Sequence, residues 1–328
     1  MSELSTRYMG LRLDNPIIVS SSGLTDSVDG VRRCADAGAG AVVLKSIFEE
    51  QIAAEVDGLA RVGTGAAWHP EAEEYVSRYG REDAVTAYLE LIGGSKREVS
   101  VPVIASIHCV SSGSWTDFAR RAEQAGADGL ELNVFVLPSD PRRDSTANEK
   151  VCFDVARDVK SKVSIPVSLK IGSYFSGLSR TVVELSRTGL DGLVLFNRFF
   201  RIDFDIENLS LAPANIFSAP EEIVVPLRWI SILSGQVGCD LAAATGIHDG
   251  AGAVKQLLAG AAAVQVCSAL YQNKLDHLGV MLGQIRSWME RHDFSSVQQF
   301  RGRMSSKASD NPAAYERVQF MKATTGIE

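Results

Sequence analysis

The chain has 328 residues, of which 45% are hydrophobic and 22% are charged, a composition typical of globular proteins with a sizeable core. Its formal net charge of −7 argues against a nucleic-acid-binding surface, which needs a basic patch, but it leaves room for a basic pocket that binds one phosphate. The cysteines are dispersed and form no C-x-x-C pair, so we predict neither a metal site nor an iron–sulfur cluster. The amino terminus lacks the pattern of a signal peptide and no apolar run approaches roughly 18 residues, so we expect a cytoplasmic protein without membrane spans.

Short apolar runs, each able to form a buried strand, recur along the chain. In order, the predicted strands begin near residues 16, 41, 103, 129, 167, 192, 239 and 263. Four of them end the similar segments AGAGAVVL (37–44), AGADGLEL (125–132), TGLDGLVL (188–195) and AGAAAVQV (259–266). In these segments a glycine follows a predicted helix, where it can adopt a left-handed conformation, and a parallel-type strand comes next.

Helices are predicted between the strands, notably over 116–124, 148–160, 181–187 and 252–258. Eight strand–helix units predict a TIM (β/α)8 barrel; a doubly wound open sheet is the alternative, but it usually has five or six strands. Two long connections, 46–102 with a helix near Glu71–Leu91 and 197–238, are expected to form lids or walls over the barrel mouth. We expect residues 1–290 to form one barrel domain and residues 291–328 to form a helical extension of it.

Polar residues stand where most of the predicted strands end, which in a TIM barrel is the face that carries the active site. A lysine buried at a barrel mouth is costly unless it meets an anion or a polarised carbonyl, so the set predicts an anionic or strongly polar ligand. The segments ATGIHDG (244–250) and CSAL (267–270) each lead into a helix amino terminus, and they are either a phosphate site or ordinary turns and caps. The residues concerned are Ser22, Gly23, Lys45, Ser46, His108, Cys109, Asn133, Lys170, Asn197, Thr245, Gly246, Cys267 and Ser268.

With these residues in place, the chain resembles the dihydroorotate dehydrogenase family, FMN-binding β/α barrels that oxidise dihydroorotate in pyrimidine biosynthesis. The resemblance covers about residues 7 to 272. It rests on NP…SG near the first strand, LKS (44–46), ELN (131–133), SLK (168–170) followed by Tyr174-Phe175, Asn197, and TGI…LLAGA…VQV.SAL near the end.

The resemblance implies roles for the matching residues. Ser22 and Gly23 would lie against the flavin, with Ser46 beside them. Lys45 and Lys170 would hold its pyrimidine edge and stabilise the negative charge of the reduced ring. Asn133 and Asn197 would bind flavin or substrate amides, with Lys45 also near the substrate. The FMN phosphate would be held by Thr245, Gly246, Cys267 and Ser268.

The loop after Asn133 departs from the family. The family's Cys or Ser base falls on Val136 or, if Pro138 is aligned, on Leu137, and neither side chain accepts a proton. The family's asparagine after the proline, its N-x-M-G-type loop and its glycine-rich loop after strand 6 are also absent. The candidate replacement bases are Cys109, His108, Ser139 and Asp140, with His69 as a lid residue; His248 is assigned to the phosphate loop.

The leading hypothesis is an FMN-dependent oxidoreductase that oxidises the CH–CH bond of dihydroorotate or a related dihydropyrimidine. The flavin would pass electrons to a diffusing molecule or to another protein, and the chain could form a homodimer. Two other classes stay open: a flavin-free phosphosugar aldolase or isomerase with Lys170 as a Schiff-base nucleophile, and a flavin-binding accessory subunit without turnover.

Overall fold

The computed structural model describes residues 3–48, 84–109, 115–199 and 201–317, without the side chains of Cys109 and Trp115. The described strands are β1 (Thr6–Tyr8), β2 (Leu11–Leu13), β3 (Ile17–Val19), β4 (Ala41–Val43), β5 (Ile47–Phe48), β6 (Val103–Cys109), β7 (Gly129–Val134), β8 (Val167–Ile171), β9 (Gly192–Leu195), β10 (Arg201–Asp205), β11 (Ser210–Ala214), β12 (Asp240–Ala244) and β13 (Ala263–Val266). The described α-helices are α1 (Val28–Asp36), α2 (Ala84–Glu98), α3 (Trp115–Gln124), α4 (Ser145–Lys160), α5 (Leu178–Leu185), α6 (Val224–Leu233), α7 (Gly250–Ala259), α8 (Ser268–Asn273) and α9 (His277–Arg291).

Eight of these strands form a closed parallel barrel. The pairing runs β3–β4–β6–β7–β8–β9–β12–β13 and returns to β3, so no barrel edge is left open. The predicted TIM barrel is therefore confirmed, and the doubly wound open sheet is excluded because a doubly wound sheet does not close. Each barrel strand begins within one residue of its predicted start.

The repeated glycines have the conformation that the sequence predicts. Gly38, Gly126, Gly189 and Gly260 have φ angles of 101°, 99°, 94° and 120°, a region that L residues with a Cβ rarely occupy. Each glycine ends a helix and turns the chain into the next strand, which is the physical origin of the four similar segments.

Alternation along the strands separates an outer apolar layer from the barrel interior. Outward side chains such as Val19, Leu130 and Leu169 pack with the surrounding helices. Inward side chains form a second apolar cluster that includes Ile18, Val43, Ile104, Val194, Ala242 and Ala263. The β1–β2 hairpin adds Tyr8 and Met9 to this cluster, and both side chains are at most 2% exposed. Polar side chains occupy inward positions further along the same strands.

The first long connection contains helix α2, which begins at Ala84 and ends at Glu98. The predicted helix near 71–91 overlaps it, but α2 continues seven residues further, and positions 71–83 lie outside the described residues. Gly93 and Gly94 lie before the last turn of α2, and because glycine disfavours a helix they hid this turn from the sequence pattern. A Cβ at Gly94 would lie 2.7 Å from Val28 Cγ2, so a glycine there allows α1 and α2 to pack closely.

The second connection and the carboxyl-terminal segment each differ from a simple helical insertion. After β9 the chain forms the β10–β11 hairpin and then α6. After α9 the described residues 292–317 form three short 3-10 helices and no α-helix: Val297–Gln299, Ser306–Ala308 and Pro312–Ala314. This segment packs on the barrel because Phe300 is fully buried and the Met304 N–H donates to the Leu258 carbonyl over 2.8 Å. Among the described helices, none is long and apolar enough to cross a membrane.

Candidate active site

A buried polar network occupies the barrel interior where β3, β7, β8 and β13 end. Lys170 Nζ donates to Gln265 Oε1 at 2.8 Å and to Ser20 Oγ at 3.1 Å, and it lies 3.6 Å from Glu131 Oε1. Gln265 Nε2 donates in turn to Glu131 Oε2. Lys170 is 6% exposed and Glu131 is 1% exposed. A buried ammonium group requires such partners, so this network holds a positive charge at a fixed place beneath the mouth.

A row of hydroxyl groups joins the ends of the first three barrel strands. Ser46 Oγ lies 3.0 Å from Ser21 Oγ and 2.7 Å from Ser106 Oγ, and Ser46 N–H donates to Ser21 Oγ at 2.9 Å. The hydroxyl of Tyr88 on α2 accepts a hydrogen bond from the Ser106 N–H and donates one to the Ser106 carbonyl. The predicted cofactor residue Ser46 is therefore buried in a structural link between strands.

The predicted residues Ser22 and Cys267 meet where β3 and β13 are neighbours, and Lys45 lies within electrostatic range of Cys267. Burial raises the pKa of the Cys267 thiol, while a hydrogen bond with Ser22 and the charges of Lys170 and Lys45 lower it, and burial prevails. Both ammonium groups therefore lie close enough to act on the same thiol. Gly23 is close to Tyr271, because a Cβ there would lie 2.9 Å from the Tyr271 hydroxyl oxygen.

The two predicted amide side chains are in direct contact. Asn197 Nδ2 donates to Asn133 Oδ1 at 2.6 Å, although the two residues are 64 positions apart in the sequence. Asn133 on β7 pairs in register with Lys170 on the neighbouring strand β8, so the amide pair lies beside the buried ammonium group. Both asparagines are half-buried, as expected for side chains that keep hydrogen-bonding capacity for a ligand.

The predicted phosphate loop is partly occupied by its own side chains. Thr245 and Gly246 both have φ 77°, and the Thr245 hydroxyl donates to the Phe196 carbonyl at 3.0 Å. A Cβ at Gly246 would lie 2.1 Å from the Ile223 nitrogen, so the close approach that this glycine allows is made by the Pro220–Ile223 segment of the protein itself. Ser268 Oγ accepts the Ser218 N–H at 3.0 Å.

The amino terminus of α7, expected to point its N–H groups at a ligand, is capped within the protein. Asp249 accepts the Gly252 N–H at 2.7 Å and Gln284 Oε1 accepts the Gly250 N–H at 2.6 Å. His248 bonds Ser218 Oγ through Nε2 at 3.0 Å, and burial lowers the pKa of its imidazole. The side chains of this region therefore bind the loop itself. In α8 the Leu270 N–H donates to the Cys267 carbonyl, and the N–H groups of Ser268 and Ala269 are those that a helix start leaves without a partner in the helix.

Aromatic rings line the opposite part of the mouth. Phe135 stacks on Phe199 with ring centroids 3.9 Å apart, and Tyr174 meets Phe199 edge-on at 4.5 Å. His108 lies 6.4 Å from Phe135 and 5.3 Å from Phe48. A Cβ at Gly172 would lie 2.6 Å from the Phe199 ring, so this glycine, which follows β8, makes room for the stack.

The structure locates most of the candidate bases. His108 is 5% exposed between Phe48 and Phe135, and Ser139 is exposed in the loop after β7. Asp140 accepts two hydrogen bonds from the Arg142 guanidinium and one from the Arg142 backbone N–H, and these bonds lower the pKa of the carboxyl group. Cys109 ends β6 in register with Val134, with its side chain outside the described residues, as is all of His69. The base assignment remains a prediction.

Val136, at the aligned base position, packs against the outer apolar core. Leu137, the other aligned position, is 58% exposed. The side chain of this segment that reaches the aromatic rings is Phe135, which sequence alignment alone had not singled out.

Two members of the buried network were also missed as site residues. Glu131 and Gln265 stand in the apolar runs LELN and AVQV, and strand alternation places each on the inward face. A polar residue at an inward strand position, two residues before a mouth residue, is the signal that could have found both. Among the described residues there is no cluster of His, Cys, Asp and Glu able to hold a metal ion.

Comparison with known proteins agrees with this geometry. The family model described as dihydroorotate dehydrogenase matches residues 3–289. The chain belongs to the dihydroorotate dehydrogenase family. It is similar to a protein of Thermoplasma volcanium named dihydroorotate dehydrogenase B (NAD(+)), catalytic subunit, with 26% identity over 92% of this chain and 98% of that protein.

Other members of the dihydroorotate dehydrogenase family are similarly distant. A chloroplastic dihydropyrimidine dehydrogenase (NADP(+)) of Arabidopsis thaliana is 23% identical over 92% of this chain and 76% of its own length. A putative dihydroorotate dehydrogenase A (fumarate) of Aeropyrum pernix is 26% identical over 92% and 97%. The three names cover different substrates and electron partners, so membership establishes an oxidoreductase family and leaves the substrate to the residues of the site.

Proposed function

We propose that this chain is an FMN-dependent oxidoreductase that oxidises the CH–CH bond of dihydroorotate or a related dihydropyrimidine. The observation that carries the proposal is the Lys170 ammonium group, buried at the barrel mouth beside the Asn133–Asn197 amide pair. Flavin-dependent members of this family place a ring with carbonyl and N–H groups over the barrel. A fixed cation and two amides are the donors and acceptors that such a ring requires.

The residues around Lys170 fit the pyrimidine edge of FMN. Bound FMN would supply a hydride acceptor. Lys170 and Lys45 would stabilise the negative charge that the reduced ring gains, and the Glu131–Gln265 pair would keep the Lys170 ammonium group in one position. Ser22 and Gly23 would contact the ring system from the end of β3, and Asn133 and Asn197 would orient either the flavin or the substrate.

The phosphate of FMN would be bound mainly by backbone groups. The Thr245 hydroxyl already donates to the Phe196 carbonyl, whereas Ser268 Oγ accepts the Ser218 N–H and keeps its own O–H. This O–H, Cys267 and the N–H groups after β12 and at the start of α8 are therefore the remaining donors. This assignment keeps the predicted location of the phosphate but changes the atoms that would bind it.

The proton that leaves the substrate needs an acceptor other than Val136. Of the candidates, Asp140 is held by Arg142 and Ser139 is exposed, so His108 and Cys109 at the end of β6 are the assignments we favour. Of the two, His108 is the residue whose side chain the structure describes, with its ring 6.4 Å from that of Phe135. Replacement of His108 by Phe or Gln, with Cys109→Ser as a parallel variant, tests which residue is required for turnover.

The experiment that tests the proposal is a visible spectrum of the purified protein, followed by anaerobic titration with dihydroorotate and dihydrouracil. A flavin absorption band at about 450 nm that bleaches with either compound is the expected result. A colourless protein that takes up no FMN when the cofactor is added would contradict it. Phosphosugar turnover by such a colourless protein would favour the aldolase alternative. The structure argues against that alternative, because Lys170 Nζ is already bound to Gln265, Ser20 and Glu131.

A flavin-binding subunit without turnover is a second candidate, favoured by Val136 at the aligned base position. This candidate predicts a flavin that dithionite reduces and that dihydroorotate and dihydrouracil do not reduce. Electrons would leave the reduced flavin to a diffusing molecule or a protein. These two outcomes separate the enzyme from the accessory subunit in a single titration.

We also propose that the chain forms a homodimer through the β10–β11 hairpin. Directly opposed residues share a face, so Ile202 and Pro213 lie beside Phe204 and Leu211 on one side of the hairpin. Ile202, Phe204 and Leu211 are 59%, 66% and 69% exposed. A contiguous exposed apolar surface of this kind is typical of a protein–protein interface. Sedimentation of a Phe204→Ser/Leu211→Ser variant as a monomer would support it.

A further inference from the structure

The buried Lys170 ammonium group has a buried anion as its neighbour, and Gln265 connects the two charges. Gln265 Oε1 accepts the Lys170 hydrogen bond at 2.8 Å, while Gln265 Nε2 donates to Glu131 Oε2. An ammonium group can only donate, so the amide must turn its oxygen towards Lys170 and its NH2 group towards Glu131. Ser20 Oγ donates a further hydrogen bond to the same Gln265 oxygen at 3.1 Å. The orientation of the Gln265 side chain is therefore fixed by its charged neighbours.

The Glu131 carboxyl group is ionised in this arrangement. Its Oε2 accepts the Gln265 N–H and its Oε1 lies 3.6 Å from Lys170 Nζ, so both oxygens face donors, as in a carboxylate rather than a carboxylic acid. Burial, followed by the charge of Glu131, raises the pKa of the Tyr8 hydroxyl. Water screens the Glu131 charge little, because Glu131 is 1% exposed and Tyr8 is 0% exposed. A charge in such surroundings acts strongly on the groups near it.

Glu131 therefore offsets part of the positive charge that Lys170 presents to a ligand. Reduction of FMN by two electrons and one proton leaves one negative charge on its ring, and Lys170 would stabilise that charge. The Glu131 carboxylate already occupies part of the same ammonium group and repels a second anion beside it. This effect is the difference that one charge makes, so it keeps its sign whatever other charged groups surround the ring.

We propose that Glu131 sets the reduction potential of the bound flavin by opposing the charge of Lys170. The inference rests on the proposed function and goes beyond the holding of the ammonium group in one position. Because a fixed negative charge disfavours an anionic ring, the carboxylate lowers the potential and makes the reduced flavin a stronger electron donor to its acceptor. Glu131 acts through Lys170 and is therefore a positioning residue.

The test is the two-electron reduction equilibrium of the full-length protein loaded with FMN, titrated with dithionite against a reference dye of known potential. Glu131→Gln removes the charge and keeps the shape, so it should raise the reduction equilibrium constant by at least about tenfold, which is about 30 mV. Glu131→Asp keeps the charge but withdraws it from Lys170 by one methylene, and should raise the constant by only about twofold. The matched control is Asp128→Asn, which removes the carboxylate that binds Lys96 just before β7 and should leave the constant unchanged.

Equal shifts in Glu131→Gln and Glu131→Asp would indicate a structural disturbance instead of a charge effect and would overturn the inference. A constant in Glu131→Gln that stays at the wild-type value or falls below it would overturn the inference as well. If Glu131→Gln does not fold or does not hold FMN, Glu131→Asp decides: a raised constant supports the inference and an unchanged or lowered one rejects it.

The flavin content of the wild type is measured on the same samples. A colourless wild type that takes up no FMN rejects the proposed function and this inference together. A yellow wild type whose Glu131 variants lack the expected shift rejects the inference alone. A yellow wild type with the expected shift that neither dihydroorotate nor dihydrouracil reduces keeps the inference and rejects turnover of these compounds.

Discussion

The barrel mouth has two unlike halves. Around β3, β8 and β13 a lysine, a glutamate, a glutamine and a serine form one continuous set of hydrogen bonds and an ion pair. Around β6, β7 and the segment after β9, the corresponding space is lined by aromatic rings. The residues that the resemblance assigns to the flavin lie mainly in the first half, whereas the loop to which it assigns the family's base, with Val136, belongs to the second.

Under the proposed function, the polar half would hold the cofactor and the aromatic half would contact the substrate. A buried charge network constrains all of its members, because removing one leaves another without a partner. A row of aromatic side chains tolerates change more easily, since its contacts are non-directional. Divergence is therefore expected on the aromatic half, and four predictions test this contrast.

The largest effect is expected from Lys170→Met. The substitution leaves the Glu131 carboxyl group buried without its cation, which should lower the free energy of unfolding by about 3–5 kcal/mol and reduce the FMN content. Chemical denaturation and the flavin-to-protein absorbance ratio measure the two effects. Lys150→Met, which breaks the exposed pair with Asp154, is the matched control and should cost less than about 0.5 kcal/mol.

A second variant separates charge imbalance from loss of packing. The double substitution Lys170→Met/Glu131→Leu removes both charges and should recover much of the stability lost in Lys170→Met, without recovering the flavin. A double variant as unstable as the sum of two single variants would show that the network is not coupled in the way its hydrogen bonds indicate.

A smaller effect is expected on the aromatic half. Phe135→Ala removes a half-buried ring from the stack with Phe199 and should lower the free energy of unfolding by about 2 kcal/mol, below the cost of a fully buried phenylalanine. The flavin content should stay near that of the wild type, because Phe135 lies outside the Lys170 network. Loss of flavin comparable to that in Lys170→Met would remove the distinction between the two halves.

The smallest effect on stability is expected from a change at Glu222, whose carboxyl group binds Arg198, the residue before Phe199. Burial raises the pKa of the Glu222 carboxyl group. Hydrogen bonds from Arg198 and the Ala219 N–H, with the charges of Arg198 and Arg201, lower this pKa by a larger amount, so the net pKa lies below its ordinary value. A carboxyl group whose pKa is depressed by folding stabilises the fold above its unfolded-state pKa and loses that contribution as the pH falls through the folded value.

Glu222→Gln should therefore lower the free energy of unfolding by about 1 kcal/mol at pH 7. The difference from the wild type should shrink as the pH falls below about 4.5, the ordinary value for this group. Urea denaturation from pH 7 to pH 3 measures it. A difference that stays constant over this range would mean that the ion pairs of Glu222 contribute nothing to stability.

Some features of this protein follow from local sequence alone. The eight strands, the four helix-terminating glycines and the polar residues at strand ends were predicted because alternation, β-branched runs and glycine conformation are properties of neighbouring residues. Since strand ends of a parallel barrel share one face, the location of Lys170, Asn133 and Asn197 on that face could also be predicted. Family resemblance added the roles proposed for them.

Other features needed the tertiary structure. Lys170 is joined to Glu131 and Gln265, 39 and 95 residues away, and the close neighbour of Gly246 is Ile223 rather than a ligand. The sequence indicated an apolar loop after Asn133, but only the structure showed that Phe135 reaches Phe199 while Val136 packs on the outer core. Such contacts depend on strand register and on the paths of long connections, which bring together side chains that no local pattern relates.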